Sequence, residues 1–253
     1  MPTSSLPEPV RLAVIGGSGF YTLGLGQPVA VHHVTTPYGA VEVTEEHTNA
    51  GRVLFLPRHG SGHTIAPHRI NYRANVWALH ALGAGAIIAI NSVGGITPGM
   101  TAGRFVIPDQ LIDYSWGRAH TFFDENHDIS RHVDFTHPYD GVLSQLLARS
   151  AKACDVEFRH GGVYGCTQGP RLESAAEISR MQRDGCDIVG MTGMPEAGLA
   201  REVGLRYAML ALVVNRAAGV GDGPVSIDAM QKVLSQGGDT IRRILAGFVA
   251  AMP

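Results

Sequence analysis

Ala86-Ile-Ile-Ala-Ile90 is the stretch that most narrows what this chain can fold into. It has no polar face, so as a strand it must be buried on both sides. Strands of that kind sit in the interior of a mostly parallel sheet with helices packed on both faces. Other segments read the same way. Arg11-Leu-Ala-Val-Ile-Gly-Gly-Ser-Gly19 is a buried strand running into a glycine turn. Val29 to Val34 and Val41 to Thr44 alternate, Asn49-Ala-Gly51 marks a turn, and Arg52 to Pro57 is a further strand. Phe105 to Pro108, Gln110 to Tyr114, Gly162 to Thr167 and Tyr207 to Val214 complete the set. Helical periodicity covers Asn71 to Leu82, with Gly83 as its stop, then Tyr139 to Ala153 and Glu173 to Asp184. A last helix, capped by Ser226, runs from Ile227 to about Ala250. The expectation is one α/β domain over 11–253 with a mixed, mostly parallel central sheet. Residues 1–10 read as a short disordered leader without the charged and apolar regions of a signal peptide.

Composition excludes several classes of function. With a net charge of −2 and no basic run, nucleic acid is not an expected partner. No apolar run reaches membrane-spanning length. Charged residues make up only 17% of a 253-residue chain, and Trp116 to Pro138 is long, polar and rich in histidine: His120, His127, His132 and His137. Both features suit a buried face between subunits. The three cysteines, Cys154, Cys166 and Cys186, are odd in number and without CxxC spacing. That pattern fits reduced thiols in the cytoplasm.

The chemistry-bearing residues gather at strand ends. The run Asp187-Ile-Val-Gly-Met-Thr-Gly-Met-Pro-Glu196 leaves a buried strand and enters a helix, with Pro195 and Glu196 suited to the first turn. Met191 and Thr192 therefore stand at the junction that forms the ligand crevice of open α/β sheets. Ser18 follows the first strand in Gly16-Gly-Ser-Gly19, a turn whose free amides suit phosphate. It is not a dinucleotide fingerprint, because Thr22 stands where the third glycine belongs. Arg58 ends another strand, and Asn91-Ser92-Val93-Gly94-Gly95 ends the Ala86 run. Ser18, Arg58, Ser92 and Thr192 at equivalent places point to an oxyanion such as phosphate. His59, His63 and His68 could instead ligate metal, but their glycine-rich loop shows no HExxH pattern. Arg171 and Glu173 either pair to shape a strand-to-helix turn or are simply solvated. Asn215, a polar amide ending an apolar strand, is either a cap or a ligand contact.

These motifs together resemble the trimeric purine nucleoside phosphorylase and methylthioadenosine phosphorylase family. They are Gly16-Gly-Ser-Gly19, Arg58-His-Gly60, Asn71-Tyr-Arg-Ala-Asn-Val-Trp-Ala-Leu79, Gly169-Pro-Arg171, Met191-Thr-Gly-Met-Pro-Glu-Ala197 and the strand into Asn215. The resemblance spans about Arg11 to Leu245. It implies attack of phosphate on C1′ of a purine nucleoside, with no metal or organic cofactor. Ser18, Arg58, His59, Ser92, Thr192 and the Val93 amide would serve phosphate. Met191 would lie under the sugar, and Leu172 would take the place where the family stacks an aromatic on the base. His132 would come from a neighbouring subunit to close the 5′ end.

Two departures from the family pattern bear on the substrate. Asn215 and Ala217 replace a pair of aspartates found in methylthioadenosine-cleaving relatives. An amide offers both a donor for O6 and an acceptor for N7–H, which favours a 6-oxopurine. At the sugar end, Val225-Ser-Ile-Asp-Ala-Met230 sets Ile227 and Met230 where relatives that prefer a 5′-hydroxyl offer histidine. These apolar side chains suit a thioether. The implied reaction is phosphorolysis of S-methyl-5′-thioinosine. Inosine and guanosine are the next candidates, then methylthioadenosine. A nucleoside-binding protein without turnover and a Rossmann-type oxidoreductase are the readings from other classes.

Overall fold

The computed structural model describes residues 12–125, 128–221, 223 and 225–252. His127 and the expected leader lie outside the described residues. The helices and strands fall close to where the sequence places them. They form an eleven-stranded mixed sheet and five α-helices among the described residues.

The first strand, β1 (Leu12–Gly16), is followed by an antiparallel meander of β2 (Gln27–Thr36), β3 (Gly39–Thr48) and β4 (Gly51–Pro57). Helix α1 (Tyr72–Ala81) leads into β5 (Ala86–Gly95). Then come β6 (Phe105–Ile107), β7 (Gln110–Asp113), α2 (Gly141–Ala153), β8 (Phe158–His160) and β9 (Val163–Cys166). The chain closes with α3 (Ala175–Arg183), β10 (Ile188–Gly190), α4 (Glu196–Glu202), β11 (Arg206–Arg216) and α5 (Ile227–Ala250). The short β8, paired parallel with β6, is an addition to the expected set, since its three residues carry no periodic signal.

The organising strand is β5. Ile87, Ala89 and Val93 enter one apolar cluster, with Val76 and Leu79 of α1 and Leu199 and Ala200 of α4. Ala86, Ile88 and Ile90 enter the other, with Leu143 and Leu147 of α2 and Ile241, Ile244, Leu245 and Phe248 of α5. Both faces are thus dry, as the apolar run requires. β1 and β11 flank it in parallel.

As expected, Gly94 and Gly95 end the strand, with β5 closing at Gly95. They let other chain segments come close: a Cβ on Gly95 would stand 1.9 Å from the Met100 carbonyl oxygen. Pairing with β1 stops at Ala89, and antiparallel pairing with β10 begins only at Gly94. Between those points one edge of β5 is left open, and the site forms there.

Candidate active site

A cavity of about 410 Å³ lies at that opening. Seven stretches line it: Gly17-Ser18 after β1, the Arg58–Pro67 loop after β4, Ser92–Gly94 of β5, Pro170–Glu173, Val189–Thr192, Val214–Ala218, and Val225 with Met230 at the start of α5. Its size suits a ligand of nucleoside dimensions.

At one end stand the oxyanion candidates. Ser18, Arg58, His59, Ser92, Val93 and Thr192 all line the cavity. Gly17 has to be glycine, since a Cβ there would lie 2.4 Å from the Ile90 carbonyl oxygen. Arg58 is only 1% exposed. It donates from Nε and Nη2 to the two oxygens of Glu196, at 2.7 and 2.8 Å. Nη1 donates to the Ile90 carbonyl at 3.0 Å, which satisfies an acceptor on the open edge of β5. Nη2 also reaches the Asn91 Oδ1 at 3.5 Å. One Nη1 hydrogen remains, and Nη1 lies 3.1 Å from where a Gly17 Cβ would be. Burial opposes the Arg58 charge, but the Glu196 carboxylate outweighs it and holds the guanidinium protonated. Asn91 carries the network onward, donating from Nδ2 to the Thr192 hydroxyl at 2.9 Å. The Tyr164 phenol oxygen accepts from the Thr192 and Gly193 amides at 3.2 and 3.1 Å. Two of the oxyanion candidates, Arg58 and Thr192, are therefore held by one buried network.

His59 packs against His63, their ring centroids 4.7 Å apart. Its Nδ1 lies 2.8 Å from the Ile65 carbonyl oxygen. A carbonyl only accepts, so Nδ1 carries the proton and Nε2 of the neutral ring is an acceptor. Burial pushes the His59 pKa down to about 4, against the opposing Ile65 hydrogen bond and helped by the Arg58 charge. The ring is therefore neutral at physiological pH. The sign follows from linkage: the unfolded imidazole binds its proton near pH 6.5, ahead of the folded one. The stability tied to His59 is thus complete above about pH 6.5 and is lost as pH falls toward 4. Melting curves should show the wild type losing stability faster than His59→Asn over that interval. Parallel curves would contradict the assignment.

In β11, a bulge between Val213 and Asn215 breaks the strand's alternation. Val214, Asn215 and Ala217 all line the cavity. Asn215 donates from Nδ2 to the Arg216 carbonyl at 2.7 Å, which leaves one N–H and Oδ1 for a ligand. Met191 and Leu172 also line the cavity, and Leu172 is 39% exposed at its lip.

Not every expected residue is brought in. Ile227 is the first residue of α5 and 56% exposed, outside the cavity wall. Val225, just before the helix, lines the cavity together with Met230. His132 is exposed after the short 3-10 turn Ile129–Arg131 and is not among the residues that line the cavity. Arg171 does not pair with Glu173. It grips Glu177 at 2.8 and 2.7 Å, while Glu173 accepts from the Thr167 hydroxyl at 2.6 Å. The Ser174–Glu177 capping box explains this, because it sets Glu177 beside Arg171.

Sequence reasoning also misses the supports of the site. Glu196 reads as a first-turn acid, yet it is wholly buried against Arg58. Asn91, an amide directly after a fully apolar run, is the available signal for the network. Arg118 has none, lying in the histidine-rich segment with no motif around it.

With this geometry, the chain's membership is plain: it belongs to the phosphorylase superfamily, whose family model matches residues 11–250. It is an α/β nucleoside phosphorylase, a pentosyltransferase. It is 53% identical over 215 residues to a protein of Xanthomonas campestris pv. campestris named probable S-methyl-5′-thioinosine phosphorylase, covering 84% of this chain and 86% of that one. A protein of Pseudomonas syringae pv. tomato with the same name is 48% identical over 245 residues, covering 94% and 98%. Among solved structures, methylthioadenosine phosphorylase from Schistosoma mansoni in complex with adenine is similar at a TM-score of 0.89 and 32% identity, covering 95% and 91%.

Proposed function

We propose that the protein cleaves S-methyl-5′-thioinosine with inorganic phosphate, giving hypoxanthine and 5-methylthioribose 1-phosphate. The observation that carries this reading is that one cavity is lined by three unlike sets of groups. They are the oxyanion donors, the half-spent amide of Asn215, and apolar Val225 with Met230. The two bacterial relatives support the choice of nucleoside.

In this reading phosphate is held by Ser18, Ser92, Thr192, the Val93 amide and the remaining Arg58 N–H. The neutral His59 accepts from a phosphate or sugar hydroxyl. Phosphate forms the new bond to C1′ as the C1′–N9 bond breaks, and the electron pair leaves with the purine. The protein's task is to position phosphate and to stabilise charge on the leaving base. The Asn215 N–H serves O6, and Oδ1 accepts from N7–H once the leaving purine has taken up a proton from solvent at N7. Ala217 leaves room beside the base, Leu172 covers it, and Met191 lies beneath the sugar. Val225 and Met230 meet the methylthio group. No metal or organic cofactor enters the scheme.

Incubation with isotopically labelled phosphate tests it. Label recovered in a sugar 1-phosphate, in step with hypoxanthine release, is the expected result. Release of free methylthioribose without label would mean hydrolysis and contradict the proposal.

The active form in this reading is a homotrimer in the cytoplasm. His132 stands exposed outside its own cavity, as a residue lent to a neighbour would, and Trp116 and Ile129 in the same segment are 73% and 81% exposed. The three cysteines are free, which suits a reducing compartment. Sedimentation at assay concentration should give an oligomer, and His132→Ala should lower nucleoside kcat/KM. A fully active monomer would overturn the trimer.

A further inference from the structure

Arg118 lies in the polar segment after β7, outside the cavity lining, and is 9% exposed. Its guanidinium nonetheless reaches the backbone of one cavity wall and of the stretch that leads into a second. Nη2 donates to the carbonyls of Thr167 and Gln168 at 3.1 and 2.9 Å, directly ahead of the turn that carries Pro170, Leu172 and Glu173. The same Nη2 donates to the Met191 carbonyl at 2.9 Å, and Nη1 donates to the Met194 carbonyl. Nε donates to the Gln168 Oε1 at 3.1 Å. A third wall is reached indirectly. Nη1 donates to the Tyr72 phenol oxygen at 3.3 Å, and that phenol donates to the Pro67 carbonyl at 3.0 Å. Pro67 ends the loop that begins at Arg58.

All these acceptors are carbonyl, amide or phenol oxygens. Among the described residues no carboxylate lies within ion-pair distance of Arg118. A buried cation without a counter-charge is held only by well-aimed dipoles, so its geometry is tightly defined. An ammonium group lacks the planar fork needed to span carbonyls from two loops at once.

We infer that Arg118 is a positioning residue that fixes the base lip and the sugar floor of the cavity relative to each other. The inference rests on the proposed nucleoside phosphorolysis. It also separates the two ends of the site. Thr192, on the same loop as Met191, has its own anchors in Asn91 and Tyr164, so the phosphate end keeps its shape without Arg118. Loss of Arg118 should therefore damage nucleoside use and spare phosphate use.

The test compares wild type, Arg118→Ala and Arg118→Lys in phosphate-dependent cleavage of methylthioinosine. Misplacement of a substrate wall by about 1 Å can cost roughly a hundredfold. That loss is expected in nucleoside kcat/KM for both variants, with phosphate KM unchanged. Millimolar guanidinium, but not ammonium, should restore activity to Arg118→Ala. A lysine variant with wild-type nucleoside kcat/KM would overturn the inference. So would an alanine variant in which nucleoside and phosphate parameters fall together without guanidinium rescue. If Arg118→Ala does not fold, Tyr72→Phe removes only the phenol hydroxyl, which accepts from Arg118 and donates to Pro67. It should raise nucleoside KM and leave phosphate KM alone, and an unchanged nucleoside KM would count against the inference. Failure of wild type to turn over any nucleoside would instead refute the proposed reaction. In that case hypoxanthine binding to wild type and variants still reads the positioning role.

Discussion

Arg58→Ala is expected to cost both stability and phosphate use. The guanidinium and the Glu196 carboxylate are 0% and 1% exposed and bonded through both carboxylate oxygens. Removing one partner of such a pair leaves an uncompensated buried charge, at a cost of roughly 3–5 kcal/mol. That is a large share of the roughly 5–15 kcal/mol that holds a typical native domain together. Thermal melting should fall by roughly 6–20 °C, given about 2–4 °C per kcal/mol for a domain of this size. A loss of phosphate affinity in this variant alone could come from either cause. The double variant Arg58→Met/Glu196→Leu separates them. Replacing a buried pair by apolar residues of similar volume is often neutral in stability, although the Tyr207 hydroxyl that donates to Glu196 at 2.9 Å loses its acceptor. The double variant should melt nearer the wild type yet still show a raised phosphate KM. An unchanged phosphate KM would remove Arg58 from the phosphate site and leave it a purely structural role. Thr192→Ala, which creates no buried charge, should raise phosphate KM without a comparable loss of stability.

Asn215→Asp carries the second large effect, a change of preferred base. In the wild type, Nδ2 donates to the Arg216 carbonyl and keeps one hydrogen for O6. An ionised aspartate offers only acceptors, so it faces both that carbonyl and O6 unfavourably. It escapes by turning away or by taking up a proton against its normal pKa. A lost or unpaired buried hydrogen bond costs roughly 1–3 kcal/mol, so kcat/KM for methylthioinosine should fall about tenfold or more. Methylthioadenosine, with an exocyclic donor, should gain, though modestly, because Ala217 supplies no second carboxylate. The quantity to measure is the ratio of the two kcat/KM values in parent and variant. If it does not fall, Asn215 does not read the base.

Much of the architecture is legible in the amino-acid sequence. The Ala86–Ile90 run declares a strand dry on both faces, and β5 divides its side chains between two apolar clusters as expected. Ser226 and the spacing of Ile241, Leu245 and Phe248 place α5 at Ile227–Ala250. Local signals of this kind live within a few residues of the feature they mark. The supports of the site do not. Arg58 meets Glu196 across 138 positions, and Arg118 meets Met191 across 73. Neither pairing leaves a local pattern, because Glu196 reads as a first-turn acid and Arg118 as an ordinary charge in a polar segment until the sheet brings their partners in. Ile227 fails for a different reason: a resemblance aligns positions, but the first turn of a helix decides which of them turn toward the cavity.

The most direct test of the proposed reaction is a panel of methylthioinosine, methylthioadenosine, inosine, guanosine and adenosine, assayed with and without phosphate. Cleavage is expected only with phosphate, with the highest kcat/KM on methylthioinosine and weaker use of inosine and guanosine. Base release without phosphate, or a preference for methylthioadenosine over methylthioinosine, would contradict it.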